Sequence, residues 1–562
     1  MKKNIIYVLL IVFFSSSCSD FLEETNYSGL SEDPFYNTEV GIEALINSCY
    51  TPIRFWYGKE GGATLTELGT DLFVKGGDCH HPEYSLYDIS LNAQSPVLQV
   101  YWDRFYAAIN YCNTALARLD NSPLADDIKT LRKGEVYFLR AFYYWHITEL
   151  WGEVHLTTTP SEGVQTEAYK SSKDQIYDQI FEDLDKAIKN LESRIAHEGG
   201  RITKPAAEAF KARMLLTRGR YAEAAELADK VISDYDFELA EDYAALWKME
   251  NSEGSTNKEV IWYVNYTTDL LLNVDMEDYD GNSKANAFRK EGGNQLHLMF
   301  CIRYDFQPGS STIDLNGVGY QRYATTRRLL SLYSEDIDQR YAGTFREVWM
   351  ENSGGLKNGE YTEMIEGDTA LYLTKKVMPQ SFKDRVKLKY QLRDINDLYN
   401  EDESLKDNRV FIEMHKHADP TRATAMETRS KRDAFVMRIA EMYLIAAEGE
   451  MLKPGGDINK ALSYINTLRR TRAYTGREAE MEVTTADMNI DFILEERARE
   501  LVGEQLRWFD LNRTGKLLEY VTKWNPDAKA NIKDYHVLRP IPQTQLDAVS
   551  NKDDFKQNNG YN

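Results

Sequence analysis

Acidic and guanidinium side chains carry most of the potential chemistry in this chain, and they are densest in residues 490–515, IDFILEERARELVGEQLRWFDLNRTG. Glu496, Glu500, Glu504 and Arg507 follow one another at intervals of four, four and three, which is the spacing of one helical face. Glu495 with Arg499, Arg497 with Glu500 and Arg507 with Asp510 are oppositely charged pairs within helical reach. A carboxylate beside a guanidinium stays ionised, whereas a general acid needs a raised pKa. The pattern therefore reads as a structural ion-pair lattice. Other chemistry is thinner. The sequence holds no HExxH, no GxSxG and no GxxxxGKS or GxxxxGKT. Asp278, Asp280, Gly281 and Asn282 copy part of a calcium loop, but Met276 and Ala287 stand at its first and twelfth positions. His80-His81 and His415-Lys416-His417 offer imidazoles with no defined third ligand, which suits surface loops better than a metal site. With 89 acidic residues some pair must fall at glycosidase separation, so carboxylates alone decide nothing. No catalytic, cofactor-binding or metal residue is assigned, and the chain reads as non-enzymatic.

Elements must position these groups. Ile490, Ile493, Leu494, Ala498 and Leu501 form the apolar stripe of an amphipathic helix over the acidic stretch. Trp508, Phe509 and Leu511 place large apolar groups where that segment docks. Upstream, apolar spacing predicts helices over residues 39–50, 102–119 and 131–150, and a stripe of Ile176, Ile180, Leu184 and Leu191 predicts another. Pro205 suits the first turn of the next helix. Ala212, Leu215, Gly219, Ala224, Ala228 and Val231 match the small-residue spacing of a tetratricopeptide-type hairpin, and residues 438–451 with 458–470 form a related pair. Such hairpins usually face another polypeptide. Residues 251–257 read as a polar linker and Val260–Val264 as a strand. From there to about residue 429 the helical period is weak and aromatics are frequent, as in an insertion of loops and short strands. The expected fold is mainly α: a tetratricopeptide-like helical-hairpin scaffold with an irregular insertion lobe. A chain of 562 residues, 42% apolar, can bury more than one core, so two lobes are expected.

The balance of 67 basic against 89 acidic residues gives a net charge of −22, which makes nucleic acid and anionic lipid poor partners for the body of the protein. Residues 1–17 combine Lys2 and Lys3, an apolar run over 5–14 and three serines before Cys18. This is the layout of a lipoprotein signal peptide, with Cys18 as the lipidated residue. Simple secretion, or a buried thiol at Cys18, is the other reading. No later apolar run is long enough to span a bilayer, so the acyl chains would be the membrane attachment. Cys49, Cys79, Cys112 and Cys301 show no CxxC pairing and read as buried free thiols, although an exported protein could oxidise an even number of them.

The signature ERxxEL followed by GExxRWxDLxRTGK, here from Glu496 to Lys516, resembles the C-terminal signature of the SusD/RagB family of outer-membrane nutrient-binding lipoproteins. LRAFYYWHITELWGEVHL resembles a second family motif, with His155 where proline is usual, and RIAEMYLIAAEGEML, the Asp336 to Tyr341 element and the closing PIP…QNNGY resemble others. The resemblance implies residues 18–250 as the SusD-like N-terminal helical region and 258–562 as the RagB/SusD region, with an aromatic-rich insertion at about 258–430 and C-terminal helices at about 431–562. It also implies a surface-exposed protein, anchored in the outer membrane through Cys18, that binds an oligosaccharide without a cofactor and delivers it to a SusC-like TonB-dependent transporter. Sugars offer apolar C–H faces, so a binder needs exposed aromatic rings beside hydrogen-bonding groups. SusD-like binders place these in the loop after the N-terminal helices and in the insertion, where this sequence has Phe73, Tyr84, Tyr87, Tyr320 and Tyr323. A glycoside hydrolase, a RagB-like peptide-binding uptake protein and a tetratricopeptide adaptor without a small ligand are the alternatives.

Overall fold

The computed structural model describes residues 35–193, 199–267, 293–310, 316–353 and 360–561. The leader, Cys18 and the partial calcium loop at 278–282 lie outside the described residues. Helix α1 (Glu39–Tyr50) begins where the Thr38 hydroxyl accepts the Gly41 amide, and it buries Ile42, Leu45, Ile46 and Cys49. After the short α2 (Glu60–Thr66), two long helices pack together, α3 (Pro96–Leu119) and α4 (Asp126–Trp151). Every residue of α4 from Phe138 onward is buried. The rings explain why: Phe138 and Phe142 meet Trp262 and Phe210, while His146 meets Trp56. Helix α5 (Lys173–Asn190) carries a reciprocal cap between Ser172 and Gln175. Helix α6 (Lys204–Thr217) starts on Thr203 with Pro205 in its first turn, as its sequence predicts.

The two expected hairpins are present. One is α6 with α7 (Tyr221–Asp234), the other α8 (Ile439–Leu452) with α9 (Ile458–Thr471), and α7 packs on α8 so that they stack as layers. A side chain at Gly449 would bring Cβ within 2.7 Å of the Tyr221 carbonyl, so glycine is what lets these helices approach.

Short strands knit distant segments. Strand β1 (Phe73–Lys75), near the N-terminal helices, and β2 (Val260–Val264), after the linker, both find partners far along the chain. The partner of β1 is β3 (Tyr323–Thr325), antiparallel, with Phe73 opposite Thr325 and Lys75 opposite Tyr323. Next come β4 (Phe345–Arg346), β5 (Val348–Met350), β6 (Thr369–Leu373) and β7 (Gln391–Arg393), of which the last three form a sheet with one antiparallel and one parallel pair. Strand β8 (Glu413–Met414) pairs with β4, and β9 (Ala434–Arg438) pairs with β2 before running into α8. The expected insertion of loops and short strands is observed. Among the described residues one cluster of buried apolar side chains runs from Ile42 to Phe555 and takes in most of the strands, with a smaller satellite around Tyr243, Trp247 and Phe435.

The C-terminal acidic stretch is two helices, not one. Helix α10 (Ile490–Leu501) ends where Val502 turns extended and Gly503 takes φ +72, and α11 (Arg507–Arg513) follows Gln505, itself at φ +63. The charged side of α10 is interior as well as its apolar stripe: Glu496, Arg497, Arg499 and Glu500 are all buried. Glu496 meets Arg340 at 2.8 Å, Arg469 at 2.6 Å and Arg499 at 2.8 Å. Glu500 meets Arg472 at 2.9 Å, Arg438 at 3.1 Å and Arg340 at 3.2 Å. Glu504 meets Arg438 and Lys416, both at 2.8 Å, and Arg507 holds Asp71 at 2.6 Å. The lattice reading holds, but its partners come mainly from other elements, and of the in-helix pairs Glu495 with Arg499 stands at 3.7 Å. Burial alone would raise the Glu500 carboxyl. The guanidiniums of Arg472, Arg438 and Arg340 outweigh burial and hold it far below the usual carboxylate range. Glu496 and Glu504 are depressed by the same contest.

Candidate functional site

Strands β1 and β3 pair beyond their ends, through the Gly76 amide on the Arg322 carbonyl at 3.0 Å and the Asp78 amide on the Gln321 carbonyl at 3.2 Å. A Cβ on Gly76 would lie 2.0 Å from the Gln321 carbonyl oxygen, so the close approach needs glycine there. On their other side residues 320–322 are hydrogen-bonded to the turn at 298–301: the Tyr320 amide to Leu298, Gln321 to Cys301 and Arg322 to Met299. Two chain segments thus fix a short rib that carries Tyr320 and Arg322.

The Arg322 guanidinium is clamped between Glu60 at 3.0 Å and Asp78 at 2.6 Å, with the Tyr320 ring 5.0 Å from its centre. Asp78 keeps most of its carboxylate in solvent, and His80, half exposed, holds Glu60 at 3.2 Å. Burial would raise Glu60, but the His80 and Arg322 charges bring it below the usual value, while the hydrogen bond to Glu60 raises His80. Close by, Arg303 grips Asp305 with two hydrogen bonds of 2.9 and 2.8 Å and lies 4.1 Å over the ring of Phe306, which is 73% exposed. The turn at 298–301 that bonds to the rib leads directly into Arg303 and Phe306, so this aromatic shelf lies on the adjoining segment.

Next to the rib lies a groove of about 420 Å³, lined among others by Lys75, Ser404, Asp407, Asn408, Arg409 and Asp527. Its loop is tied to the rib: the Gln321 side chain donates to the Arg409 carbonyl at 2.7 Å, and Asn408 donates to Gly76 at 3.3 Å. Asp527 accepts the Lys75 amide and the Ser85 hydroxyl. The groove is within the size range of small-ligand sites, yet its walls are polar, so apolar contact must come from the shelf. Burial would raise Asp407, but Arg409 holds it below its usual value, and Asp527 is engaged with the backbone.

The structure redistributes the five aromatics expected to face a ligand. Phe73, Tyr84, Tyr87 and Tyr323 are no more than 2% exposed and give no free ring face, which corrects the expectation for these four. Phe73 packs on Phe300, Tyr84 bonds Ser95 at 2.7 Å beneath Arg539, Tyr87 packs on His536, and the Tyr323 hydroxyl bonds Thr64 and the Glu60 carbonyl, both at 2.7 Å. Their physical role is to join segments too irregular to bury apolar area by helix packing. Tyr320 remains, half-buried at the rib. Phe306, Arg303 and Arg409 were missed, although an aromatic followed by Gln307-Pro308-Gly309 is a turn signal that keeps a ring near the surface. The histidine run is not a surface loop: Lys416 and His417 are buried, with His417 against the Gly503 carbonyl at 3.2 Å. The four described cysteines are free, with Cys79 half-buried and the other three buried. Among the described residues no helix is long and apolar enough to cross a membrane.

Comparison with known proteins places this geometry in context. The family described as "SusD family" matches residues 258–561, more than half of the chain, and the one described as "Starch-binding associating with outer membrane" matches residues 20–216. SusD-like protein P25 of Formosa agariphila is 26% identical over 584 residues, covering 100% of this chain and 99% of the relative. Among solved structures, a laminarin binding SusD-like protein superposes with a TM-score of 0.70 at 21% identity, covering 94% of this chain and 100% of the other. The surface glycan-binding protein A of Bacteroides thetaiotaomicron in complex with laminarihexaose has a TM-score of 0.64 at 19% identity, covering 93% and 100%.

Proposed function

The chain belongs to the SusD family, and from that premise we propose that it binds an oligosaccharide at the rib, shelf and groove around Tyr320. The observation that carries this reading is the pre-set Arg322. Its guanidinium is fixed by Glu60 and Asp78, so the adjacent Tyr320 ring, the exposed Asp78 and the half-exposed His80 share one surface, and the exposed Phe306 stands on the segment bonded to the same rib. Stacking on sugar C–H faces and hydrogen bonds to hydroxyls are the two interactions such a surface supplies. The glycan-binding relatives support the ligand class, not its identity.

On this reading the protein binds without turnover. It is held at the outer surface of the outer membrane by a lipid on Cys18, and it passes its ligand to a SusC-like TonB-dependent transporter. The description of the N-terminal match as outer-membrane associated supports the location. A hydrolase would need a carboxyl with a raised pKa facing the groove, and Asp407 is shifted the other way.

Calorimetry of the chain from residue 19 onward, against a panel of neutral and acidic oligosaccharides that includes laminarihexaose, tests the proposal. Binding of at least one glycan, weakened by about 1–3 kcal/mol in each of Tyr320→Ala and Phe306→Ala with no release of reducing ends, is the expected result. Binding to peptides alone would favour the RagB-like reading. Reducing ends lost in an Asp527→Asn variant would favour the hydrolase.

A further inference from the structure

The geometry points to a metal site of zinc type built from Cys301, Glu413 and His415, beneath the rib that carries Tyr320. The Cys301 sulfur, a Glu413 oxygen and a His415 nitrogen lie within 4.8 Å of one another. They come from two segments far apart in sequence, the turn after the short helix Leu296–Met299 and the strand β8 with its next residue. Ligand atoms around a tetrahedral zinc stand roughly 3.3–3.8 Å apart, given bonds of about 2.0–2.3 Å, so a small contraction completes the set. His415 Nδ1 is already 3.3 Å from Glu413 Oε1, and that nitrogen is shielded from solvent without a hydrogen-bond partner. With the proton on Nε2, two lone pairs face each other there, and a cation between them removes the conflict.

The surroundings fit a held ligand set. The Ile302 amide donates to Glu413 Oε2 at 2.9 Å and orients the carboxylate, as second-sphere donors do. The Cys301 thiol donates to the His297 carbonyl at 3.3 Å, lies 3.8 Å from the Met414 carbonyl, and also meets the Glu413 carboxylate. Arg346 approaches Glu413 only to 3.8 Å, too far to engage its lone pair by hydrogen bonding. A fourth corner is left to solvent, since among the described residues only these three offer ligand atoms within that distance of one another. Thiolate with imidazole selects zinc or cobalt over calcium and magnesium. Binding forms a metal–sulfur bond and releases the thiol proton to solvent. A bound cation would fasten the segment leading to Arg303 and Phe306 onto β8. The proposal holds whatever ligand the groove takes.

The test uses the same soluble chain, stripped with chelator and titrated with Zn²⁺ by calorimetry and with Co²⁺ by absorption. Expected are one high-affinity Zn²⁺ per chain and a near-ultraviolet thiolate-to-cobalt band. Cys301→Ser should lose the band and bind Zn²⁺ at least tenfold more weakly. His415→Ala, at a half-exposed position that leaves the fold intact by circular dichroism, should show the same loss of affinity. Failure of the wild type to take up Zn²⁺ at micromolar concentration overturns the proposal. So does a cobalt band that persists in Cys301→Ser, or zinc binding that is abolished by His80→Ala with His81→Ala and untouched by His415→Ala.

Discussion

Glu67, at the end of α2, gives the sharpest test of how the interior is wired. Its side chain is fully buried; one oxygen accepts the Gln505 amide at 2.7 Å and the other has no hydrogen-bond partner. Burial outweighs that hydrogen bond and the charges of Lys416 and Arg507, and pushes the carboxyl from its ordinary 4.5 up to about 8. A carboxyl whose folded pKa is raised is bound to its proton in the folded state and not in the unfolded state, between the two values. Stability from this group is therefore complete below about pH 4.5 and is lost as pH rises towards 8. At 1.36 kcal/mol per pH unit the full loss is about 5 kcal/mol, of which about 3–4 kcal/mol falls between pH 5 and pH 8. Glu67→Gln keeps a carbonyl oxygen for the Gln505 amide and never ionises. Its own cost, an amide N–H in the unpartnered place, is about 1 kcal/mol and does not vary with pH. Urea unfolding of both proteins at pH 5 and pH 8 should show the variant near or slightly below wild type at pH 5 and more stable by about 2–4 kcal/mol at pH 8. Other titrating groups, such as Asp433 at about 7, act on both proteins alike and cancel in the difference. Parallel stability against pH in the two proteins would refute the assignment of a neutral, proton-bearing Glu67.

Three further outcomes are expected. Tyr323→Ala should lose about 3–5 kcal/mol of folding stability, because it empties a core position and strands the Thr64 hydroxyl, while Tyr320→Ala should melt within about 2 °C of wild type and lose glycan affinity; the reverse assignment would be shown by melting and calorimetry on the two single variants. Arg340→Met should cost about 3–5 kcal/mol, since it leaves Asp338, Glu496 and Glu500 facing fewer cations, and the loss should shrink as pH falls far enough to protonate them, measured by urea unfolding at pH 7 and pH 3. Cys18→Ala in the full-length chain should move the protein from the membrane fraction to the soluble fraction, with palmitate labelling lost; labelling equal to wild type would reject Cys18 as the anchor.

Much of the scaffold was legible because its physics is local. The 3.6-residue stripe of Ile176, Ile180 and Leu184, the Thr203 cap with Pro205, and the small residues of the two hairpins each reappear where their spacing puts them. What could not be read was which of two polar faces meets water. Glu496 and Glu500 look like solvated helix positions until Arg340, Arg438, Arg469 and Arg472 arrive from segments tens to hundreds of residues away. The aromatic residues failed for the mirror-image reason. A tyrosine in a loop-rich stretch can cover a sugar or plug an interior, and only the tertiary neighbours of Tyr84 and Tyr323 decide that both are plugs. Tyr320 and Tyr323 lie three residues apart with opposite fates, since β3 carries Tyr323 inward while the rib, bent by Gln321 at φ +53, turns Tyr320 towards the surface.

The lattice and the ligand surface are connected through that rib. Lys416 holds Glu504 at one end of the segment 413–417, while Glu413 at its other end accepts the Ile302 amide, and Cys301 in turn anchors Gln321. Tyr323 adds a second tie, its hydroxyl joining Thr64 and the Glu60 carbonyl, next to the carboxylate that clamps Arg322. A buried ion-pair lattice contributes little net stability over an apolar core of equal volume, because desolvation offsets its Coulomb attraction. What it does supply is register: each guanidinium accepts partners only in a narrow geometry, so segments from both ends of the chain are held at one mutual position. If Tyr320, Asp78 and Phe306 form the proposed sugar surface, it needs that register more than it needs stability, because ordering its loops on binding would otherwise be subtracted from affinity. On this reasoning the signature helices, without lining the proposed ligand surface, set where its residues stand.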